Sequence, residues 1–294
     1  MTTIAFIGLG NMGGPIAANL VTAGHAVTGF DLVPASLEAA RGEGVATAAS
    51  AREAVAGAEV VVTMLPAGRH VVSVWTDIVP AIAAGALVID CSTIDVESAR
   101  EAHGIAAEAS LLSLDAPVSG GTVGAKGATL TFMVGGSEQA FVKGEPILSK
   151  MGRRVVHCGE AGAGQAAKIC NNMILGISMI GISEAFVLAE KLGLSHQALF
   201  DVASTSSGSC WALTTHCPVP GPVPTSAANS DYKPGFATDL MLKDLKLSQE
   251  AARSGGATTP LGAMAASLYE RFGAAGHGAE DYSAIVRFLR EGGA

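Results

Sequence analysis

The segment that most constrains the fold lies between residues 3 and 31. Thr3-Ile4-Ala5-Phe6-Ile7 is a short apolar run that breaks directly into Gly8, Gly10 and Gly13, and a helix-favouring stretch follows from Pro15 to Ala23. A strand that turns into a helix around a bound phosphate needs this G-x-G-x-x-G spacing. Gly8 permits the tight turn, Gly10 lets phosphate approach the backbone, and Gly13 lets helix and strand pack closely. The helix N-terminus then offers unpaired N–H groups to an anion. The loop Gly8, Leu9, Gly10, Asn11, Met12 and Gly13 is therefore the expected pyrophosphate cradle of a dinucleotide site. In a chain with 37 glycines the spacing alone is weak. The next apolar run, Ala26-Val27-Thr28-Gly29-Phe30, adds to it by ending at Asp31, about 20 residues downstream of the glycines as the fingerprint requires. A carboxylate there accepts hydrogen bonds from ribose hydroxyls and repels a 2'-phosphate, which points to NAD as cofactor. Taken alone, Asp31 also reads as a helix or turn cap.

The same strand–helix rhythm continues. Val60-Val61-Val62-Thr63-Met64 runs into Leu65-Pro66, and Ala86-Leu87-Val88-Ile89-Asp90 runs into Cys91-Ser92-Thr93. Alternation of this kind predicts a mainly parallel sheet whose ligand crevice lies beyond the strand C-termini. Leu65, Pro66, Ser92 and Thr93 are cofactor candidates by that position, and each is also explicable as packing or capping. Leu111 to Asp115 is a further strand leading into Ala116-Pro117-Val118-Ser119-Gly120-Gly121. Ser119, Gly120 and Gly121 make either an anion nest fit for a substrate carboxylate or a bare turn. Thr129 to Gly135 reads as an added edge strand, Glu138 to Lys150 as a helix, and Arg154 to Cys158 as the end of the sheet.

Beyond Gly162 and Gly164 the pattern turns helical: Gln165 to about Lys191, Asp239 to Gly255, Leu261 to Phe272 and Asp281 to Leu289. The expected class is α/β, an N-terminal Rossmann-like domain over residues 1–163 with a C-terminal all-helical domain over residues 164–294. In the first long helix Lys168, Asn172, Leu175 and Met179 share one face. A lysine on an apolar face is either solvated or partly desolvated, and desolvation of an amine favours the neutral form that acts as a base. Trp211, before the Pro-rich run from Pro218 to Pro224, is either part of a linker or a bulky apolar contact in a pocket wall. Lys243, beside Asp244, is either half of a surface pair or a contact to cofactor or substrate.

Composition narrows the alternatives. The formal charge of -8, with no Lys/Arg block, argues against nucleic acid and against electrostatic attachment to a membrane. The run MILGISMIGIS is shorter than a bilayer span and reads as a buried helix, and the first residues lack the basic flank of a signal peptide. Five cysteines without a CxxC pair read as free, mostly buried thiols in a reducing cytoplasm, and no spaced ligand set predicts a metal.

Taken in order, FIGLGNMG, Leu65-Pro66, DCSTI, DAPVSGG, GAGQAAKICNN and KDL closely resemble the 3-hydroxyisobutyrate dehydrogenases within the beta-hydroxyacid dehydrogenase family, and SSGSCWAL resembles the hydroxyisobutyrate branch. The resemblance implies Lys168 as catalytic acid/base, with Asn172 orienting the reacting oxygen. It implies Ser119, Gly120 and Gly121 at the carboxylate of a small acid, Lys243 at cofactor and substrate, and Leu65, Pro66 and Thr93 at NAD. His70 departs from a related form that presents Asn to the dinucleotide. The implied reaction is NAD-dependent oxidation of 3-hydroxyisobutyrate by a homodimer or homotetramer. The alternatives are a reductase for tartronate semialdehyde or another small beta-hydroxyacid, and a noncatalytic NAD sensor.

Overall fold

The computed structural model describes residues 1–293, and the chain divides into two compact units, Met1–Lys168 and Ile169–Ala294. The first unit opens with β1 (Thr3–Ile7), α1 (Gly13–Thr22), β2 (Ala26–Phe30), α2 (Pro34–Gly42), β3 (Ala46–Thr47), α3 (Ala51–Val55) and β4 (Val60–Thr63). It continues through α4 (Gly68–Ile78), β5 (Leu87–Asp90), α5 (Val96–Glu108), β6 (Leu112–Asp115), β7 (Val118–Ser119), α6 (Gly121–Lys126), β8 (Leu130–Gly135), α7 (Glu138–Leu148) and β9 (Gly152–Gly159). Strands β3-β2-β1-β4-β5-β6 lie side by side and parallel, the order of a doubly wound sheet. Successive side chains of a strand point to opposite faces, and both faces here are covered. Ile4, Phe6, Val60, Val62, Leu87 and Ile89 enter one buried cluster, while Ala5, Ile7, Val61 and Val88 enter another.

The expected edge strand at 129–135 is an interior one. β8 pairs antiparallel with β6 and β7 and parallel with β9, so both its edges carry ladder bonds. Leu130, Phe132 and Val134 are fully buried, which explains why the segment is covered and not peripheral.

Helix α8 (Ala163–Lys191) begins in the first unit and continues into the second, which also contains α9 (His196–Ala203), α10 (Trp211–Thr214), α11 (Thr238–Ser254), α12 (Pro260–Phe272) and α13 (Ile285–Arg290). Its core gathers Met179, Phe186, Leu213, Met241, Leu245, Tyr269, Phe272 and Tyr282. By length and composition α8 is able to cross a membrane, with mean hydropathy 1.7, yet Met179 and Phe186 on it are core residues of this unit. The helix expected from Asp281 to Leu289 is shorter. Asp281 accepts from Ser283 N–H and caps a tight 3-10 turn at Tyr282–Ala284, and α13 starts only after that. The cysteines also differ from expectation. Cys91 and Cys217 are buried, Cys158 and Cys210 are half-buried, and Cys170 is exposed on the outward face of α8.

A buried polar cluster ties the ends of β4 and β5. The Asp90 carboxylate accepts from Thr63 Oγ1 at 2.7 Å and from Ser92 Oγ at 2.6 Å through the same oxygen, Oδ1. Trp75 Nε1 donates to Thr63 Oγ1, and Leu65 N–H donates to Ser92 Oγ. Oδ2 of Asp90 is buried without a hydrogen-bond partner. Burial is the main cause that pushes this acid up from 3.8 to about 6; the hydroxyl donors oppose it, and Asp115, its register neighbour on β6, adds to it.

The sign of the linkage follows. The folded state holds a proton that the unfolded chain has already released between about pH 4 and pH 6, so this residue destabilises the fold increasingly as pH rises through that window. The shift corresponds to about 3 kcal/mol. In Asp90→Asn, which mimics the neutral acid, stability relative to wild type should rise by about that amount from pH 4 to just above pH 6 and then level off. Urea denaturation at a series of pH values measures it; a stability difference independent of pH would contradict this account.

Candidate active site

Three loops leave the C-terminal ends of β1, β4 and β5, where a doubly wound sheet opens its crevice. The glycines of the first are required by geometry. Gly8 has φ +97°, and a Cβ there would strike the Met64 carbonyl, while a Cβ on Gly13 would strike the Gly8 carbonyl. Gly10 differs: a Cβ there meets nothing within 4 Å, so the backbone at this point borders open space. Helix α1 carries no side-chain cap and no acidic residue in its first turn, leaving its positive end to an external anion. Leu9 is buried and fixes the loop, whereas Gly10 and Asn11 are exposed and Met12 is half-buried.

Asp31 follows β2. Its Oδ2 accepts from Leu9 N–H at 2.7 Å and its Oδ1 from Val33 N–H at 2.8 Å. These bonds hold the carboxylate beside the glycine loop, and each oxygen keeps a further lone pair for a ribose hydroxyl. Leu65 is half-buried and Pro66 exposed on the second loop. His70, in the first turns of α4, is half-buried, and its Nδ1 is a buried atom without a partner. Thr93 is half-buried on the third loop, next to Ser92 of the buried cluster. An open glycine backbone, an uncapped helix start, a fixed carboxylate and an orphaned ring nitrogen fit a dinucleotide.

Ser119 ends β7, and Gly120 and Gly121 follow with φ +132° and +60°, leading into α6. The segment is thus neither a bare turn nor a plain loop but a strand-to-helix junction in a conformation that only glycine adopts easily. Lys168 lies on α8 and is 6% exposed. Ahead of it Gln165 is fully buried; it accepts from Ile94 N–H and donates to the Ser92 carbonyl. Sequence reasoning missed Gln165, and it missed Asp115, whose oxygens accept from Gly162 N–H, Gln165 N–H and the ring of His103. The available signal was an acid at the end of each of two consecutive strands, Asp90 and Asp115.

In the second unit Asn172 stands one helical turn beyond Lys168 on α8 and is 2% exposed. Its Nδ2 donates to Asp244 Oδ2 at 2.5 Å, and its Oδ1 accepts from Asn171. Asp244 is buried, with its other oxygen 3.4 Å from Lys243 Nζ, an ionic contact that lacks hydrogen-bond geometry. The Lys243-Asp244 pair is therefore half interior, unlike a plain surface pair. Trp211 is 54% exposed and stacks on His216 at 5.6 Å; His216 in turn stacks on Tyr282 and bonds to the buried Asp281. Among the described residues no group of three or more His, Cys, Asp or Glu is gathered as for a metal ion.

Comparison with known proteins agrees with this geometry. Residues 3–159 match the family described as the NAD binding domain of 6-phosphogluconate dehydrogenase, and residues 162–289 match the one described as NAD-binding of NADP-dependent 3-hydroxyisobutyrate dehydrogenase. A probable 3-hydroxyisobutyrate dehydrogenase of Mycobacterium tuberculosis is 57% identical over 99% of this chain and 98% of its own length. An NAD-dependent L-serine dehydrogenase of Pseudomonas aeruginosa is 46% identical over 98% of each chain. The solved structure of the M. tuberculosis 3-hydroxyisobutyrate dehydrogenase with L-serine superposes with a TM-score of 0.96 at 57% identity, covering 99% of both chains. With its dinucleotide loop, its two-part architecture and this full-length similarity, the chain belongs to the 3-hydroxyisobutyrate dehydrogenase family of beta-hydroxyacid dehydrogenases.

Proposed function

We propose that this protein oxidises 3-hydroxyisobutyrate to methylmalonate semialdehyde with NAD, a step of valine catabolism, and that it does so in the cytoplasm. The observation that carries the reading is Lys168, an amine buried to 6% exposure on α8 within the GAGQAAKICNN segment. Bound NAD supplies the acceptor for the hydride that leaves C3 of the substrate. Lys168 Nζ, in its neutral form, accepts the proton of the primary alcohol, so that the C–O bond becomes the aldehyde carbonyl as hydride departs. In the reverse direction the protonated amine returns that proton to the carbonyl oxygen. Asn172 orients the reacting oxygen through its amide, and Ser119 with the N–H groups of Gly120 and Gly121 holds the carboxylate. Fixing the acid at its charged end determines which carbon is presented for reaction, and orientation of this kind accounts for a large part of the rate.

Gly8, Leu9, Gly10, Asn11, Met12 and Gly13 cradle the pyrophosphate, Asp31 takes the ribose hydroxyls, and Leu65, Pro66, His70 and Thr93 line the rest of the dinucleotide. Lys243 serves cofactor and substrate, and Trp211 supplies an apolar face to the substrate. In this scheme residues 1–163 bind NAD, and residues 164–294 serve substrate binding and assembly. Exposed Ile174 and Leu188 fall along one outward strip of α8 with Gly181 and Ala185 between them, and exposed Leu192 follows in the turn just past its end, which supports self-association as a homodimer or homotetramer.

The L-serine dehydrogenase at 46% identity favours one further reading, another small 3-hydroxy acid as the preferred substrate. One methyl or amino group at C2 separates these substrates, a difference that few pocket contacts decide. NADH formation across a panel containing both enantiomers of 3-hydroxyisobutyrate, L-serine and glycerate tests this. The highest kcat/KM is expected for one hydroxyisobutyrate enantiomer. Preference for serine or glycerate would reassign the substrate, and NADH binding without turnover of any acid would favour a sensor.

Two variants test the assigned chemistry. Lys168→Ala should lower kcat by about 100-fold or more while thermal melting and NADH binding stay close to wild type; near-normal turnover would remove Lys168 from the mechanism. Asp31→Ala should reduce the preference for NAD over NADP by about 10-fold, the size of a lost charged hydrogen bond. An unchanged ratio of the two kcat/KM values would contradict ribose recognition by Asp31.

A further inference from the structure

We infer that Gln165 is a positioning residue that couples the loop after β5 to Lys168, with Asp115 fixing the helix turn they share. The inference rests on the assignment of Lys168 as acid/base. Every group it uses lies within the first unit.

A helix leaves its first N–H groups without partners, and a nearby side chain of the Ser, Thr, Asp or Asn type ordinarily satisfies them. At the start of α8 that work falls to a strand. Asp115, at the end of β6, accepts from Gly162 N–H through Oδ1 and from Gln165 N–H through Oδ2, both at 2.8 Å. His103 holds Oδ1 at 3.0 Å from its Nε2, and its Nδ1 meets Ser113 Oγ at 2.7 Å. The carboxylate is 1% exposed, so its partners set its position closely. Gly135 and Gly164 leave room for this arrangement, since a Cβ on either would collide with the Asp115 carboxyl group.

Gln165 carries the constraint onward. Its backbone is pinned by Asp115, and its side chain uses both ends on two residues of one loop: Oε1 accepts from Ile94 N–H at 3.1 Å, and Nε2 donates to the Ser92 carbonyl at 2.8 Å. Ser92 Oγ is in turn bonded to Asp90 and to Leu65 N–H. The loops at Leu65 and at 92–94 are therefore hydrogen-bonded through one fully buried amide to the turn of α8 that bears Lys168 three residues later. Gln165 touches no reacting atom in this scheme. Its effect is to hold the Lys168 amine in register with the loops that line the dinucleotide, and displacements near 1 Å are enough to cost a large factor in rate.

The test is a double-mutant cycle on the full-length enzyme with NAD and the best acid of the panel. Gln165→Met keeps the volume and removes both side-chain bonds. The expected result is a fall in kcat of about 10- to 100-fold, with KM and the NADH Kd changed by less than about 3-fold. In the Lys168→Ala background the same substitution should lower kcat by no more than about 2-fold, because the amine it positions is gone. A residue that only stabilises the fold would lower the melting temperature and multiply through both backgrounds equally. Equal losses in the two backgrounds, or an unchanged kcat in Gln165→Met, would overturn the inference. Lys168→Ala alone separates the two levels: near-normal turnover there sinks the acid/base assignment and this inference with it, whereas a crippled Lys168→Ala enzyme with equal Gln165 effects sinks only the coupling. Should Gln165→Met not fold, Gln165→Asn, which keeps the amide but shortens its reach, goes through the same cycle with the same two outcomes.

Discussion

A carboxylate taken out of water is tolerated only when donors replace its hydration, and Asp115 has them from three directions: two backbone N–H groups at the start of α8 and the ring of His103. The arrangement locks two things that would otherwise be independent, the end of the parallel sheet and the beginning of the 29-residue helix. Replacing one donor would leave a buried charge under-solvated, which is the expensive failure, so the network stands or falls as a unit. Asp90 lies beside Asp115 in the strand register but with a poorer set of partners, two hydroxyls on one oxygen and none on the other. The same kind of residue in the same layer therefore meets two different fates. Asp90 is driven toward its neutral form, and Asp115 is held by a ring and a helix start.

That pair explains how the crevice edge is built. A parallel sheet brings strand C-termini to one rim but does not by itself fix the loops there. Here two of the loops are fixed from beneath by buried polar groups, Asp90 through Ser92 and Thr63 and Gln165 through Ser92 and Ile94, while the half-buried Asp31 holds the glycine loop through Leu9. The glycine loop needs less help, because its shape is imposed sterically at Gly8 and Gly13. Two kinds of constraint, one steric and one polar, hold the cofactor-facing rim.

These two kinds differ in how legible they are in the sequence. Steric constraints write themselves as local patterns, so the glycine spacing, the strand at Ala26–Phe30 and Asp31 were readable within thirty residues. The long helices were readable for the same reason. The polar constraints act over long separations: Asp115 meets residues 47 and 50 positions away, and Gln165 meets Ser92 across 73. No local period announces them. The misplaced edge at β8 has a related cause, since whether a strand is interior depends on which partners fold against it. Gly120 and Gly121 fall between these cases, because their composition shows a special backbone but not that a helix begins there.

Asn172 illustrates how such long-range bonds bear on chemistry. An amide side chain has two N–H donors and a carbonyl acceptor, and its orientation follows from whatever engages them. Asp244 is an acceptor and takes one N–H; Asn171 is a donor and takes one lone pair of the carbonyl. With Asp244 in place the amide cannot flip without setting its oxygen against the carboxylate. One N–H and one lone pair remain, so the group is able to donate to an alcohol or carbonyl oxygen without giving up either anchor. The proton acceptor in this scheme is Lys168, and an oxygen losing its proton is best served by a neighbour that donates in both states of the reaction. A carboxylate at position 172 would lack that donor and would repel the substrate's charge, and a leucine there would take the donor from Asp244 Oδ2 and leave only the Lys243 contact on the other oxygen. The amide is the side chain that donates to Asp244 Oδ2 and still has a donor to spare.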